Sequence, residues 1–401
     1  MPPHAPIDPL TGMSAARFGI YIHFPYCLSK CPYCDFASTV AKRIPEERYT
    51  DAIKSELALR AAEARFEGRE VHSIFLGGGT PSLWAPERVG EVLAALRERV
   101  PLAKDAEVTL EANPGASDAE RFAGFREAGI NRLSIGVQSF QPSTLQALGR
   151  SHDGDMAERA FRAARAAGFD NVSMDFIYGV HGQTLEQVKA DAERAASLGS
   201  EHLSAYALTL EREALAEEVP LAKQLSRGEV MLPPDDTVVE MQRAVSAIYA
   251  RHGLRRYEIS NYAKPGYHSR HNTLYWTGGE YLALGSGATG YLRTPGGAFR
   301  YANHRSAEAY LKAVEEGAVP EASREPLTSR ELFEERLAMG LRLTSGVDLE
   351  AVCREFGEAL APRAPKVERL VGGGLARREG SRLVLTEAGT DLHSAISAEL
   401  M

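Results

Sequence analysis

Over roughly the first half of this 401-residue chain, a strand-like run followed by a helix-like run recurs about every 35 residues. The strand-like runs are Phe18–His23, His72–Leu76, Glu107–Glu111, Arg132–Val137, Val172–Ile177 and His202–Leu208. They are short, mostly rich in β-branched, aliphatic or aromatic residues, and bounded by Gly, Pro or Asn. Between them Glu46–Arg65, Pro86–Arg99, Asp118–Ala128, Asp155–Ala167 and Leu185–Leu198 carry helical periodicity. Ser117 is placed to cap one helix, and Gly68, Gly129, Gly168 and Gly199 stand where helices should stop. Six alternating units imply a parallel sheet with helices outside it.

The strand ends decide how that sheet closes. Cysteines follow the first run, Gly77-Gly78-Gly79-Thr80-Pro81 the second, Glu111-Ala112-Asn113-Pro114 the third and Gln138-Ser139 the fourth. Asp175 lies in the fifth, and Tyr206-Ala207 in the sixth. Chemically loaded residues at every strand end are the habit of a barrel, whereas an open doubly wound sheet gathers them at one switch point. Six units are fewer than eight, so the expected fold is α/β: a partial (β/α)6 TIM-type barrel, open on one side.

Four segments are expected: an N-terminal extension at 1–17, the barrel at 18–235, a barrel-extending region at 236–324 and a C-terminal domain at 325–401. An acidic linker near Met231–Asp236 and a helix to about Gly253 separate the barrel from a stretch, Tyr257–Asn303, rich in Gly, Tyr, His and Asn. In the C-terminal domain, helical runs Glu331–Leu343, Leu349–Phe356 and Pro362–Val371 precede strand-like Leu375–Arg378 and Arg382–Leu385. Thr386 then caps a last helix. The pattern is winged-helix-like, but six Lys or Arg against five Asp or Glu from Arg363 to Met401 leave no basic footprint. It reads as a packing or lid module.

Charge and composition exclude several functions. Lys plus Arg is 46 and Asp plus Glu is 54, a net charge of −8, which disfavours nucleic-acid and polybasic membrane-surface binding. No apolar run approaches the length of a membrane-spanning helix, and Met1 to Phe18 has no secretory pattern. A cytoplasmic location is expected, where clustered cysteines read as metal ligands or redox groups.

Three of the four cysteines lie together, in Tyr21-Ile-His-Phe-Pro-Tyr-Cys27-Leu-Ser-Lys-Cys31-Pro-Tyr-Cys34-Asp-Phe36. C-x3-C-x2-C directly after a strand can wrap a loop around one small inorganic body. A four-iron, four-sulfur cubane held by three thiolates keeps one iron open for a substrate or cofactor. A structural zinc would need a fourth ligand, for which His23 is the only neighbour. Three cysteines are one too many for a simple redox disulfide, and Cys353, among Leu349, Val352 and Phe356, reads as core.

On these residues the chain resembles the radical S-adenosylmethionine superfamily. The resemblance implies a [4Fe–4S] cluster on Cys27, Cys31 and Cys34. The open iron would bind the amino and carboxylate groups of S-adenosylmethionine, whose one-electron cleavage gives a deoxyadenosyl radical. The glycine run permits close backbone approach, Glu111 and Asp175 can accept from an amino group or ribose hydroxyls, and Arg150 can pair with a carboxylate.

Nearly the whole chain is similar to one branch, the oxygen-independent coproporphyrinogen III oxidases and their relatives. The matching stretches are Tyr21–Cys27, Leu76-Gly-Gly-Gly-Thr-Pro-Ser82, Gly136-Val-Gln-Ser-Phe140, Leu148-Gly-Arg-Ser-His152, Asp175-Phe-Ile-Tyr-Gly179 and Tyr257-Glu-Ile-Ser-Asn261. By this resemblance Tyr21, Tyr33, Gly78, Gly79, Thr80, Glu111, Gln138, Arg150, Asp175 and Ala207 fall at S-adenosylmethionine contacts. Two features split the branch. The oxidases carry a further cysteine two residues after the third, where this chain has Phe36. His271-Asn272-Thr273-Leu274-Tyr275-Trp276 matches the H-N-x-x-Y-W stretch of the haem chaperone group called HemW. Both features point to that group.

The resemblance implies a haem chaperone rather than an oxidase. His271 would ligate haem iron, with Asn272, Tyr275 and Trp276 around the porphyrin. The expected partners are haem, S-adenosylmethionine, a small electron donor, and a haem-acceptor apoprotein of the membrane-bound respiratory class. The alternative is oxidative decarboxylation of coproporphyrinogen III. One departure from the family pattern is Gly179-Val-His-Gly-Gln183 in place of Gly-Leu-Pro-Gly-Gln, which makes His181 an extra candidate ligand. Gly285-Ser-Gly287-Ala-Thr-Gly290 spells a dinucleotide fingerprint, but no helix or acidic partner follows, so a tight loop is expected.

Overall fold

Strands β1 (Arg17–Phe24), β2 (Glu70–Gly78), β3 (Leu102–Ala112), β4 (Arg132–Gln138), β5 (Val172–Tyr178) and β6 (His202–Ala207) lie side by side in that order, all parallel. The computed structural model describes residues 17–64, 66, 69–115, 118–210 and 219–401. Helices cover the outer face of the sheet and the barrel interior buries the inner one, so its strands read as nearly continuous apolar runs; β4 is buried from Arg132 through Val137. The principal helices after the first five strands are α1 (Glu46–Ala64), α2 (Pro86–Arg99), α3 (Asp118–Ala128), α4 (Gly154–Ala166) and α5 (Leu185–Ser197), and α6 (Asp235–Arg251) comes after the sixth strand.

The expected punctuation recurs where it can be seen. Gly129, Gly168 and Gly199 all take positive φ just beyond helix ends. Thr184 caps α5 in a reciprocal box with Gln187, and Asp153 caps α4 through Met156 N. The expected cap Ser117 and stop Gly68 lie outside the described residues, as do Arg65 and the extension up to residue 16.

The sheet does not end at six strands. After β6 come β7 (Asn261–Ala263) and the two-residue strand Arg255–Arg256, both antiparallel. On the other side of β1 lies β8 (Glu280–Leu284), parallel to it, then antiparallel β9 (Thr289–Thr294), β10 (Gly297–Asn303) and β11 (Glu321–Leu327). The result is a twelve-stranded sheet, curved and unclosed, with a partial barrel at its centre. Strands between residues 255 and 327 therefore extend the sheet. Gly285 to Ala288 form a loop between β8 and β9, Thr289 and Gly290 already lie in β9, and no helix follows directly.

A buried polar network fastens the extension to α1. Arg60 and Glu56 are fully buried and pair at 2.7 Å. Arg60 also donates to Asn303 and Glu321, while Glu56 accepts from Gly285 N, Tyr310 and Asn303. The charges are tolerated because nearly every donor and acceptor is matched.

The C-terminal part has its own core of Phe333, Leu337, Leu341, Val352, Cys353, Leu370 and Ile396. Helices Ser329–Leu341, Leu349–Phe356 and Ala364–Gly372 precede a hairpin, Ala376–Glu379 with Arg382–Leu385, which Val347–Asp348 widens to three strands. Thr386 caps a short helix, Glu387–Asp391, which is not the last as expected, since His393–Leu400 follows it. Cys353 is buried in this core. No described helix is long and apolar enough to cross a membrane.

Candidate functional site

Beyond the C-terminal end of β1 the chain folds into a loop that turns all three clustered cysteines toward one pocket. The loop is pinned at both ends: Thr39 N donates to Pro25 O, Ala41 N to Cys27 O, and Leu221 N to Pro32 O. Gly149 has φ +62 and lies against the loop; a Cβ there would sit 2.6 Å from Pro32 Cδ. Tyr33 is anchored on a small cluster with Leu208, Leu210, Val219 and Leu221. Cys27, Cys31 and Cys34 are half-buried free thiols, and burial pushes those of Cys27 and Cys34 up.

The same pocket is lined by Tyr33, Gly78, Gly79, Thr80, Glu111, Gln138, Arg150 and Asp175. Eight residues expected at S-adenosylmethionine, from five strands and the loops after them, thus converge beside the cysteines. An adjoining cavity of about 300 Å³ shares Cys31, Thr80, Asn113 and Arg150 in its wall. Thr80 Oγ1 donates to Cys27 Sγ at 3.4 Å and accepts from Asn113 Nδ2 at 3.1 Å. Arg150 reaches Cys31 Sγ at 3.5 Å and also donates to Asn113 Oδ1 and Gly136 O. Gly78 has φ +111, and any Cβ there would strike the His23 ring at 2.5 Å. Gln138 holds φ +65, a strained position for a side chain with a Cβ, and such strain gathers at working sites.

Two carboxylates stand in the pocket wall. Burial, then Asp175, push the Glu111 carboxyl up to about 8, and its Oε2 accepts from Gly78 N at 3.2 Å. Burial also raises Asp175, which Ser134 and Ser173 hold by hydrogen bonds. Burial outweighs the nearby Arg132 at both acids, and such a pair suits a ligand that brings an ammonium group. Three thiols in one pocket also suit a multi-iron cluster, which takes each thiolate on a different iron. No three described His, Cys, Asp or Glu side chains converge on a single-ion point. His23 does not line the cysteine pocket. Its ring nitrogens are taken by Tyr21 OH at 3.0 Å and Ala37 O at 2.8 Å.

Tyr21 and Ala207 stand apart from the pocket lining. Tyr21 faces the barrel interior beneath Gly77, and Ala207 pairs with Tyr178 at the end of β6. His181 is exposed and bonded to Met231 O at 2.7 Å, away from the cysteines. Phe36, standing where the oxidases have a further cysteine, is 59% exposed at the pocket rim.

The H-N-x-x-Y-W stretch forms α7 (Arg270–Trp276), capped by Ser269. It enters the barrel at the opposite end, among the early residues of the strands. Gly19 makes the room: a Cβ there would fall 2.5 Å from Leu274 Cδ2 and 3.3 Å from His271 Cε1. Glu107 receives the Arg270 and His271 amides at 3.0 and 3.1 Å. His271 is fully buried, with Nδ1 against Ser73 Oγ at 2.9 Å and Nε2 against Tyr275 OH at 2.8 Å. Burial pushes its pKa down to about 3, so the imidazole is neutral, the form that ligates metal. A column of rings joins the two ends: His271 stacks on Phe75 at 5.3 Å, and Phe75 on Tyr21 at 6.3 Å. Asn272 is half-buried, and Tyr275 and Trp276 open onto a separate cavity.

Comparison with known proteins follows this geometry. The radical SAM superfamily profile matches residues 21–195, and the HemN C-terminal domain profile residues 327–392. A curated Mycobacterium tuberculosis protein (strain ATCC 25618 / H37Rv) named heme chaperone HemW is 36% identical over 395 residues, 98% of this chain and 97% of its own. The chain belongs to the haem chaperone HemW family. The HemW protein of Escherichia coli (strain K12) is 41% identical over 279 residues, 69% of this chain and 71% of that one. The solved structure of coproporphyrinogen III oxidase (HemN) from Escherichia coli, a radical SAM enzyme, matches with a TM-score of 0.79 at 22% identity. It covers 96% of this chain and 89% of that one, a likeness of fold.

Sequence reasoning missed several residues that build the site. Asn113 links Thr80 to Arg150, Ser134 holds Asp175, and His23 fills the space under Gly78. Asn113 was visible as a polar residue at a strand end. Ser134 and His23 sit inside strands, where only the inward direction of the side chain marks them.

Proposed function

We propose that this chain is a haem chaperone. It holds a [4Fe–4S] cluster through Cys27, Cys31 and Cys34, S-adenosylmethionine beside it, and haem through the α7 region, and it delivers haem to haem-requiring apoproteins. The observation that carries this reading is the coexistence of an intact three-cysteine pocket with an intact H-N-x-x-Y-W helix, and Phe36 where the oxidases keep a further cysteine.

When bound, the cluster supplies one-electron chemistry. The chain's own residues position and shield. Gly78 and Gly79 let backbone come close, Glu111 and Asp175 accept from an amino group or hydroxyls, and Arg150 offers a cation to a carboxylate while pinning Asn113. Tyr33 and Gln138 complete the wall, Tyr21 braces it from below, and Ala207 lies at the last strand end. At the other end His271 offers a neutral imidazole once the Tyr275 hydroxyl releases Nε2. The client class is a membrane-bound respiratory enzyme met from the cytoplasmic side, with a small electron donor serving the cluster. Residues 18–235, 236–324 and 325–401 are the barrel, the haem-facing extension and the C-terminal domain in this reading.

Anaerobic reconstitution followed by hemin titration tests it. Wild type should show iron, sulfide and a shifted Soret band, and His271→Ala should lose the ligated form. An unchanged Soret shift in His271→Ala removes His271 from the account. Turnover of coproporphyrinogen III to protoporphyrinogen would overturn the chaperone reading in favour of an oxidase.

A further inference from the structure

Between the barrel extension and the C-terminal helices lies a cavity of about 440 Å³, well within the range of small-molecule sites. Its walls are aromatic: Tyr275 and Trp276 of α7, Tyr281 of β8, Tyr291 of β9, and Phe356 from the C-terminal part. Met339 stands at its rim, 38% exposed. Flat rings and a thioether suit a flat apolar ligand.

Three guanidinium groups also line it, and their pairing differs. Arg300 meets Glu335 with two bonds, at 2.8 and 2.7 Å. Arg293 pairs with Glu355 at 3.2 Å and donates to Tyr291 OH at 2.7 Å. Arg336 has no carboxylate partner among the described residues. It makes one bond, to Trp276 O at 3.4 Å. Burial lowers its basicity, and Glu355, which already pairs with Arg293, offsets this only in part. Its position is nonetheless built: Gly278, at φ +71, leaves room for the Arg336 stem, and a Cβ there would sit 2.6 Å from Cδ. The indole Nε1 of Trp276 is buried without an acceptor, and Arg342 lies 4.3 Å over its ring. A buried cation and a buried N–H, both short of an anion or acceptor, mark a place for a carboxylate.

We propose that this cavity seats the porphyrin plane of haem and that Arg336 binds one of its propionate carboxylates. This deepens the haem-chaperone reading and rests on it. The site lies away from the cysteine pocket, at the end of the barrel where α7 enters. Tyr275 belongs to both the cavity wall and the His271 hydrogen bond, so a ligand seated here lies next to the histidine's gate. The C-terminal domain thereby supplies half of the cargo site rather than packing alone.

Hemin and its dimethyl ester separate the two ideas, because the ester keeps the ring and removes the carboxylate charge. With the full-length reconstituted protein, hemin should bind about tenfold or more tightly than the ester, the worth of a charge-assisted bond. Arg336→Gln should lose that preference by weakening hemin alone. Met339→Glu, a substitution at an exposed rim position, should weaken hemin by repulsion and leave the ester less affected. If both variants keep wild-type hemin affinity and preference while the protein still binds hemin, the cavity is not the seat and the chaperone reading survives. If wild type binds neither compound, both fall.

Discussion

Glu111→Gln tests the electrostatics of the cysteine pocket through stability alone. In the folded protein burial, and then Asp175, hold the Glu111 carboxyl up at about 8. In the unfolded chain a glutamate titrates near about 4.3. Between those values the folded protein keeps a proton that the unfolded chain has released. The folded pKa is raised, so this contribution is fully present below the unfolded pKa and is lost as pH rises toward the folded one. Each pH unit in the window costs at most about 1.4 kcal/mol. From pH 6 to pH 8 the limit is about 2.7 kcal/mol, and Glu111 lines a cleft that admits some water, so about half of that, ~1.4 kcal/mol, is expected. Glutamine has no proton to lose. The stability difference between Glu111→Gln and wild type should therefore grow in the variant's favour by about 1.4 kcal/mol from pH 6 to pH 8, and then level off. At about 2.1 cal/mol/K per residue over roughly 300 cooperating residues, that is a relative Tm shift of about 2 °C. The measurement is thermal unfolding of reduced, cluster-free protein at several pH values. Parallel Tm curves for the two proteins would show that Glu111 is ionised at neutral pH and that burial does not hold its proton.

Other outcomes follow from the same geometry. Arg60→Ala leaves buried Glu56 without its cation and should cost about 3–5 kcal/mol, read as a Tm several degrees lower. Cys31→Ala should reduce reconstituted iron from about four per chain to a residual amount, while Cys353→Ala should leave iron unchanged. Tyr275→Phe frees His271 Nε2 from a hydrogen bond worth about 1 kcal/mol, so hemin ligation should tighten about fivefold. A weaker, red-shift-free complex would instead make Tyr275 itself the ligand.

The parallel core was legible because each strand is apolar along its length and each following helix carries a helical period. Glycine stops at 129, 168 and 199 were legible for a local reason: the left-handed turn there favours Gly. The extension was less so. Glu280–Leu284 joins the sheet parallel to β1 from more than 250 residues away, and no local pattern states which edge a strand will choose. The site divides in the same way. The cysteines, the glycine run and the strand-end acids are contiguous motifs. Ser134 and His23 belong to the pocket only through the direction their side chains take from a strand.

By itself the sequence determined the chemistry this protein carries: three thiolates on one loop, acids and an arginine at strand ends, and an H-N-x-x-Y-W stretch, because each is a local spacing of reactive groups. Tertiary structure alone decided where they stand. It sets the cysteines and His271 at opposite ends of one barrel, because α7 plugs the early halves of strands whose far ends carry the loop. It closes both His271 nitrogens with Ser73 and Tyr275, residues 198 and 4 positions away. And it brings Arg336 against Trp276 with no carboxylate bonded to it, since the balance of a buried charge depends on every neighbour that packing supplies and on none that the chain order names.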